Sequence, residues 1–372
     1  MTRAVGTSGL VRSIGVITLS GASICFSGCS APRVVSPAEI QPVSRQVAPL
    51  SGEARQQLAT ALSSETAQAR ANAAEALISD PLWLESVAPE LLSDGNAGVR
   101  AVTATAIGDA AIRGAAFEAS VSLLDELTRD DSPFVRLGAV YALARLGRDV
   151  DRAPLASALL SDPSPRVRAQ AAFVFGKLGE PSALPMLRQA TRARIPLASS
   201  GEMKLLELQI AEAMVRLGET DRVQVIRAAL FPSRPEELEA AALAVQILGS
   251  VGDRGAIDQL IYLSEQRDEM GNLMPAEVRL GIASALSKLG QPEGWFIAEQ
   301  YRDSDRSLIR AQAAAVYGLT RGPQNGDRLA DLLEDESELV RVAAAGAVIR
   351  NLAPAGPRIE STGAPVGGES GS

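Results

Sequence analysis

Histidine is absent from the chain, cysteine occurs twice, and aromatic residues make up only 3% of it. Without histidine there is no imidazole base, no Ser–His or Cys–His nucleophile pair and no histidine-ligated metal. The two cysteines, Cys25 and Cys29, both lie near the N-terminus. The body of the chain therefore has no disulfide, no thiolate nucleophile and no cysteine-bound metal. Carboxylate pairs remain available for catalysis, but no paired acidic motif stands out. With aromatics so scarce, the 46% apolar content is mostly Ala, Leu and Val. Small unbranched residues suit closely packed helices, and Ala loses no side-chain entropy in one. The net charge of −8 and pI near 5.0 argue against nucleic-acid partners, which are held largely by Lys and Arg.

At the N-terminus, Arg3 and Arg12 precede an apolar stretch from Ile14 to Phe26, followed by Ser27-Gly28-Cys29-Ser30. A basic start, a short apolar core and small residues at its end are the layout of an export signal. The core falls short of the roughly 20 residues needed to span a bilayer. Phe26-Ser27-Gly28-Cys29 resembles a bacterial lipobox, with Phe26 where Leu is usual. That resemblance implies cleavage before Cys29 and a lipid on its sulfur; an ordinary cleaved signal is the other reading. The expected division is a signal over residues 1–28, a Pro-rich disordered tether over 29–49, a helical array over 50–352 and a disordered tail over 353–372.

Between the tails one pattern recurs. Asp130-Asp131-Ser132-Pro133-Phe134-Val135-Arg136 runs on to Leu146-Gly147, and Asp162-Pro163-Ser164-Pro165-Arg166-Val167-Arg168 runs on to Leu178-Gly179. Weaker copies place anchors at residues 69, 99, 206, 240, 278, 309 and 340, which makes nine units spaced 30 to 39 residues apart. A period in that range predicts stacked repeats. Asn96, Ser132, Ser164 and Ser337 stand where a side-chain oxygen caps a helix start. Pro133 and Pro165 occupy the first turn, and the upstream Asp residues favour the positive end of the helix dipole. Gly147, Gly179, Gly218, Gly252 and Gly290 close the helices as left-handed caps. Gly249-Ser250-Val251-Gly252 reads as a helix-ending turn. Each unit is then a pair of antiparallel helices too small to bury its own apolar face, so stacking supplies the core.

The Asp-x-Ser-Pro-x-Val-Arg run followed by Leu-Gly resembles the HEAT-repeat family, in particular the short bacterial repeats shared with phycobilin lyases. The resemblance implies an all-α solenoid of about nine helix pairs. It also implies that Arg100, Arg136, Arg168, Arg279, Arg310 and Arg341 form a structural ladder with acidic residues of neighbouring units. Nearest-neighbour stacking predicts an elongated, curved array with an open concave face.

Counting three, six and ten residues from each anchor selects one stripe of the anchor helix. It carries Tyr141 and Arg145, then Gln170, Phe173 and Lys177, then Gln209, Glu212 and Arg216, then Ser284 and Lys288. On an open array this stripe looks outward. Tyr141, Arg145, Gln170, Phe173 and Lys177 are its candidate partner-binding residues, since Tyr and Arg are enriched in binding hot spots. The expected function is a non-catalytic scaffold, lipid-anchored on the extracytoplasmic side of a bacterial envelope membrane. It would bind a protein or peptide on its concave face and carry no cofactor or metal. The alternative is a phycobilin-lyase-like chromophore-handling protein. Iron hydroxylases of this fold use His–Glu pairs, which the chain cannot supply.

Overall fold

The computed structural model describes residues 47–353, apart from 197, 233, 235–236, 269, 292–293 and 321–324. The export signal, Cys29 and most of both tails lie outside the described residues. A short 3-10 turn, Ala48–Leu50, precedes the first helix, and its Leu50 is buried. Nine helices begin at the expected anchors: α2 (Ala67–Ala76), α4 (Ala97–Ala111), α6 (Pro133–Arg145), α8 (Pro165–Leu178), α10 (Ser200–Arg216), α12 (Leu238–Val251), α14 (Ala276–Lys288), α16 (Ser307–Thr320) and α18 (Glu338–Leu352). The other nine alternate with them: α1 (Ser51–Leu62), α3 (Pro81–Leu92), α5 (Val121–Leu127), α7 (Ala153–Ser161), α9 (Leu184–Ala190), α11 (Val223–Ala228), α13 (Ile257–Glu265), α15 (Gly294–Glu299) and α17 (Asn325–Leu333). No named strand interrupts them among the described residues, and the fold is an all-α solenoid of helix pairs. All nine anchor residues are buried, none more than 5% exposed.

The helix boundaries follow local chemistry. Gly147, Gly179, Gly218, Gly252 and Gly290 all have positive φ, between 71° and 102°, and end their helices as expected. The starts differ from expectation. Asn96 does cap α4, accepting from the Gly98 and Val99 amides. Ser132, Ser164 and Ser337 make no such bond. Their own amides instead donate to the carboxylates of Asp130, Asp162 and Asp335, each at 2.8 Å. The Asp two residues upstream thus closes the turn that a serine hydroxyl was expected to cap.

These Asp residues have a second task. Arg100 Nη1 donates to the Asp94 carbonyl of its own loop at 2.8 Å, while its Nε and Nη2 reach the Asp130 carboxylate of the next unit at 2.9 and 3.0 Å. Arg310 repeats the pattern on Ser304 and Asp335, and Arg70 on Ser64 and Asp94. Three positions keep less of it. Arg136, Arg168 and Arg341 hold carbonyls of their own loops. Arg279 departs altogether, donating to the Ser264 carbonyl, Gln300 and the Tyr301 hydroxyl.

The anchor helices lie side by side from α2 through α18, and α18 then lies against α2. Helix α1 packs on α18 as well as on α2. Ser64 Oγ donates to Glu338 at 3.0 Å, Arg341 Nε reaches Gln57 at 3.3 Å, and Gly346 backs onto Ala76. The array is a closed ring, and the N-terminal helix supplies the outer helix of the ninth pair. The expectation of an open, elongated array fails here, because the two ends satisfy each other.

Glycine makes the ring tight. A Cβ at Gly176, Gly249 or Gly318 would sit 2.8, 2.7 or 2.8 Å from the backbone Cα of Ala213, Ala285 or Ala347 on the next anchor helix. Gly249 therefore belongs to the body of α12, not to a turn as expected; only Gly252 makes the turn. Nine helices spaced about 9 Å apart put their axes on a circle of about 13 Å radius. Subtracting a helix radius of about 5 Å, side chains included, leaves a bore of about 8 Å radius.

Candidate functional site in the lumen of the ring

The stripe at three, six and ten residues past each anchor faces the interior of the ring, and contacts between non-adjacent helices show it. Lys177 Nζ on α8 pairs with Asp109 on α4 at 2.8 Å, passing over α6. Lys288 on α14 has Lys177 on α8, Glu212 and Arg216 on α10, and Arg350 on α18 as its charged neighbours. Side chains on helices this far apart around a ring meet only across its centre. The anchor helices also run the same way, so their C-terminal ends gather at one mouth of the lumen.

Tyr141 and Phe173 were expected to look outward; both are buried. Tyr141 is fully enclosed because Gly108 on α4 has no side chain, and the phenol ring fills that socket. Its hydroxyl donates to Asp109 Oδ1 at 2.6 Å. Burial first, and then the Asp109 carboxylate, push the Tyr141 hydroxyl well above its ordinary range, which keeps it a donor. Phe173 is 5% exposed and lies under Lys177, whose Nζ is 5.6 Å from the ring centroid. Arg145 reaches the Lys177 carbonyl at 3.5 Å, and Gln170 is half-buried. The five candidate residues thus do come together, on the inner wall instead of on an open concave face.

The stripe continues into units beyond those five. Glu212, only 1% exposed, accepts from Arg216 Nε at 3.0 Å, from Ser250 Oγ at 3.2 Å and from Gln209. Arg216 Nη2 also donates to Ser250 Oγ at 3.0 Å. Lys288 and Arg350 differ from these: among the described residues neither side chain has a hydrogen bond or an ion pair. Burial lowers the Lys288 ammonium to about 8, with Arg350, Arg216 and Lys177 adding to the fall. Lys288 nonetheless has open surface around it, as a side chain projecting into an enclosed channel does. Burial lowers Arg350 as well. Glu75 on α2 is pushed the other way, up to about 7, chiefly by burial, and its Oε1 has no hydrogen-bond partner. Counting on from anchors 69, 99, 240 and 340 finds Glu75, Asp109, Ser250 and Arg350, which sequence reasoning passed over.

A family model described as HEAT repeat matches residues 153–181, from α7 through α8 to the following loop. The repeats are HEAT-like. A deoxyhypusine hydroxylase of Gibberella zeae is 33% identical over 121 residues, 31% of this chain and 34% of the relative. The match thus spans about a third of that curated protein. Among solved structures, the HEAT-like ring is similar to the complex of CpcE and CpcF of phycocyanin lyase from Nostoc sp. PCC7120. That likeness has 19% identity and a TM-score of 0.40, covering 78% of this chain and 98% of the other. Human deoxyhypusine hydroxylase in complex with glycerol is similar at 18% identity and a TM-score of 0.36, over 73% and 96%. The expectation of a chain unrelated to catalysis is overturned by the Gibberella relative, which is named as an enzyme. The His–Glu iron centre that hydroxylases of this fold use does not fit the residues present. The chain has no histidine, and no group of three or more His, Cys, Asp or Glu among the described residues is placed to hold a metal.

Proposed function

We propose that this HEAT-like ring is a protein-binding scaffold, exported and tethered through a lipid on Cys29, and that it takes its partner on the outside of the ring. Closure turns the concave faces into a narrow, charged lumen, which leaves the outer helices and their loops as the surface for a macromolecule. Exported, lipid-anchored placement rests on the signal-like segment Ile14 to Phe26 and on Gly28-Cys29. No helix among the described residues is long and apolar enough to cross a membrane.

The observation that carries the outer surface is where exposed apolar side chains sit. Seven large ones are exposed among the described residues, and four of them fall between residues 231 and 270: Phe231, Ile261, Tyr262 and Met270. Phe231 and Tyr262 meet at a tilt of 52° with ring centroids 6.3 Å apart while remaining 42% and 61% exposed. An aromatic pair left in water on an aromatic-poor chain marks a contact surface. Asp258 and Glu265, one turn either side of Tyr262 on α13, are exposed and acidic, as is Asp268 in the hairpin that follows. An apolar centre with an acidic rim suits a protein segment carrying an apolar anchor flanked by Lys or Arg.

A photo-crosslinking residue placed at Tyr262 in the intact, membrane-tethered protein tests this. A discrete protein adduct is expected from position 262 and not from Leu82, which is also exposed but on α3 across the ring. Asp258→Lys with Glu265→Lys should abolish that adduct and leave the melting temperature nearly unchanged. Equal adducts from Leu82, or none from 262, would overturn the outer-surface reading.

A further inference from the structure

The ten-residue register turns the C-terminal mouth of the lumen into a circle of charge. Of the nine side chains at that position, Arg145, Lys177, Arg216, Lys288 and Arg350 are basic and only Asp109 is acidic. Two of the acids of the lumen are already engaged. Asp109 is held by Lys177 and Tyr141, and Glu212 by Arg216, Ser250 and Gln209. Helix α16, between α14 and α18, presents Leu319 and Thr320 at this level and no acid. Among the described residues, Lys288 and Arg350 form no hydrogen bond or ion pair there; the acids that act on them are Glu212 for Lys288 and Glu75 for Arg350. This excess of cations at one mouth occurs in a protein whose overall charge is negative.

From this placement we infer that the lumen is a binding site for a small anion bearing carboxylate or phosphate oxygens, seated between Lys288 and Arg350. Arg350 offers a planar pair of N–H donors and Lys288 a point charge, the combination suited to an oxyanion. Glu75 stands beside them on α2, the helix next to α18. Burial raises it to about 7, so below that pH it is largely protonated and leaves the two cations unneutralised, and above it Glu75 is a carboxylate beside them. Its unpartnered oxygen is available to donate to a bound oxyanion when protonated. The buried charge network on the α4–α8 side, Tyr141–Asp109–Lys177, braces the opposite wall. This inference does not depend on the outer-surface reading.

The test is titration calorimetry of the full chain with inorganic phosphate and, separately, with succinate, at constant chloride and ionic strength. Saturable binding of one ion per chain is expected. Lys288→Met and Arg350→Met should each weaken it at least about tenfold, as loss of a charge-assisted hydrogen bond does. Arg306→Met, on an exposed side chain outside the lumen, should leave it unchanged. Binding needs the charged ammonium, so affinity should fall as pH rises past about 8, where free Lys288 loses its proton. The groups facing Lys288 are Arg350, Glu212, Arg216, Lys177 and Glu75, and of these only Glu75 titrates nearby, at about 7. Glu75→Gln removes that contribution and should leave the fall above pH 8 in place. Lys288→Met should fold, because Lys288 is an exposed side chain that makes no hydrogen bond or ion pair among the described residues. Its ion-free melting temperature should lie close to that of the parent. Overturning results would be no saturable binding of either anion, or binding that survives both substitutions undiminished.

Discussion

Two glycines that look alike along the chain have opposite roles. Gly249 in α12 meets the backbone of α14, a Cβ there falling 2.7 Å from Ala285 Cα. Backbone cannot yield as a side-chain tip can, so Gly249→Ala should cost about 1–3 kcal/mol through overpacking, despite the better helix propensity of Ala. Gly281 in α14 has only Val245 Cγ1 at 3.7 Å from the same imagined atom, an ordinary contact. Gly281→Ala should therefore stabilise by about 0.5–1 kcal/mol. Urea denaturation of the two variants checks both signs. Nothing in the local sequence separates them, because the difference lies in how near the next helix comes. Tyr141 teaches the same lesson: its helical register was legible, but the socket at Gly108 that buries it was not.

At the scale of elements, α1 is the piece that sequence reasoning left without a special role. It lies before the first anchor and reads as one more apolar-periodic helix. In the ring it covers α18, with Leu58 fully buried in a cluster shared with Val340, Ala344 and Val348. Leu58→Ala should cost about 3 kcal/mol, as for other buried Leu truncations. Closure adds a sharper expectation for hydrogen exchange. Amides of α2 and of α18 should lose protection together, though the two helices lie at opposite ends of the chain. Increased exchange confined to α2 would mean that the array is open. The ladder arginines were legible by type, since of the six only Arg279 neither holds the loop before its own helix nor reaches an acidic residue of the next unit. Which of them complete an ion pair was not. Arg100 and Arg310 pair with the Asp of the following unit, whereas Arg136, with Asp162 in the same place, holds only carbonyls of its own loop.

For the whole molecule, the ring and its tether are separate questions. The lumen and the outer aromatic pair belong to the folded body, and anchoring belongs to residues before it. If Cys29 carries a lipid, Cys29→Ser should release the protein from membranes or block its processing. Mass spectrometry of the mature N-terminus decides this. A chain beginning elsewhere than residue 29, or an unmodified Cys29, would refute the anchor.

By itself, the sequence determined the helix pairs, their period, their closing glycines, and the polar stripe that runs along each anchor helix, though not the side chains that close the helix starts. Those features follow from 3.6-residue periodicity and local capping, which operate over a few residues. Only the tertiary structure decided that the ninth unit meets the first. The rotation between neighbouring units is set by side-chain fit, at contacts such as Gly318 on Ala347 and Gly346 on Ala76, and small rotations accumulate over nine steps. That sum is what turned a stripe expected to face an open groove into the wall of a closed lumen. There the charges of non-adjacent helices meet, as Lys177 on α8 does with Asp109 on α4.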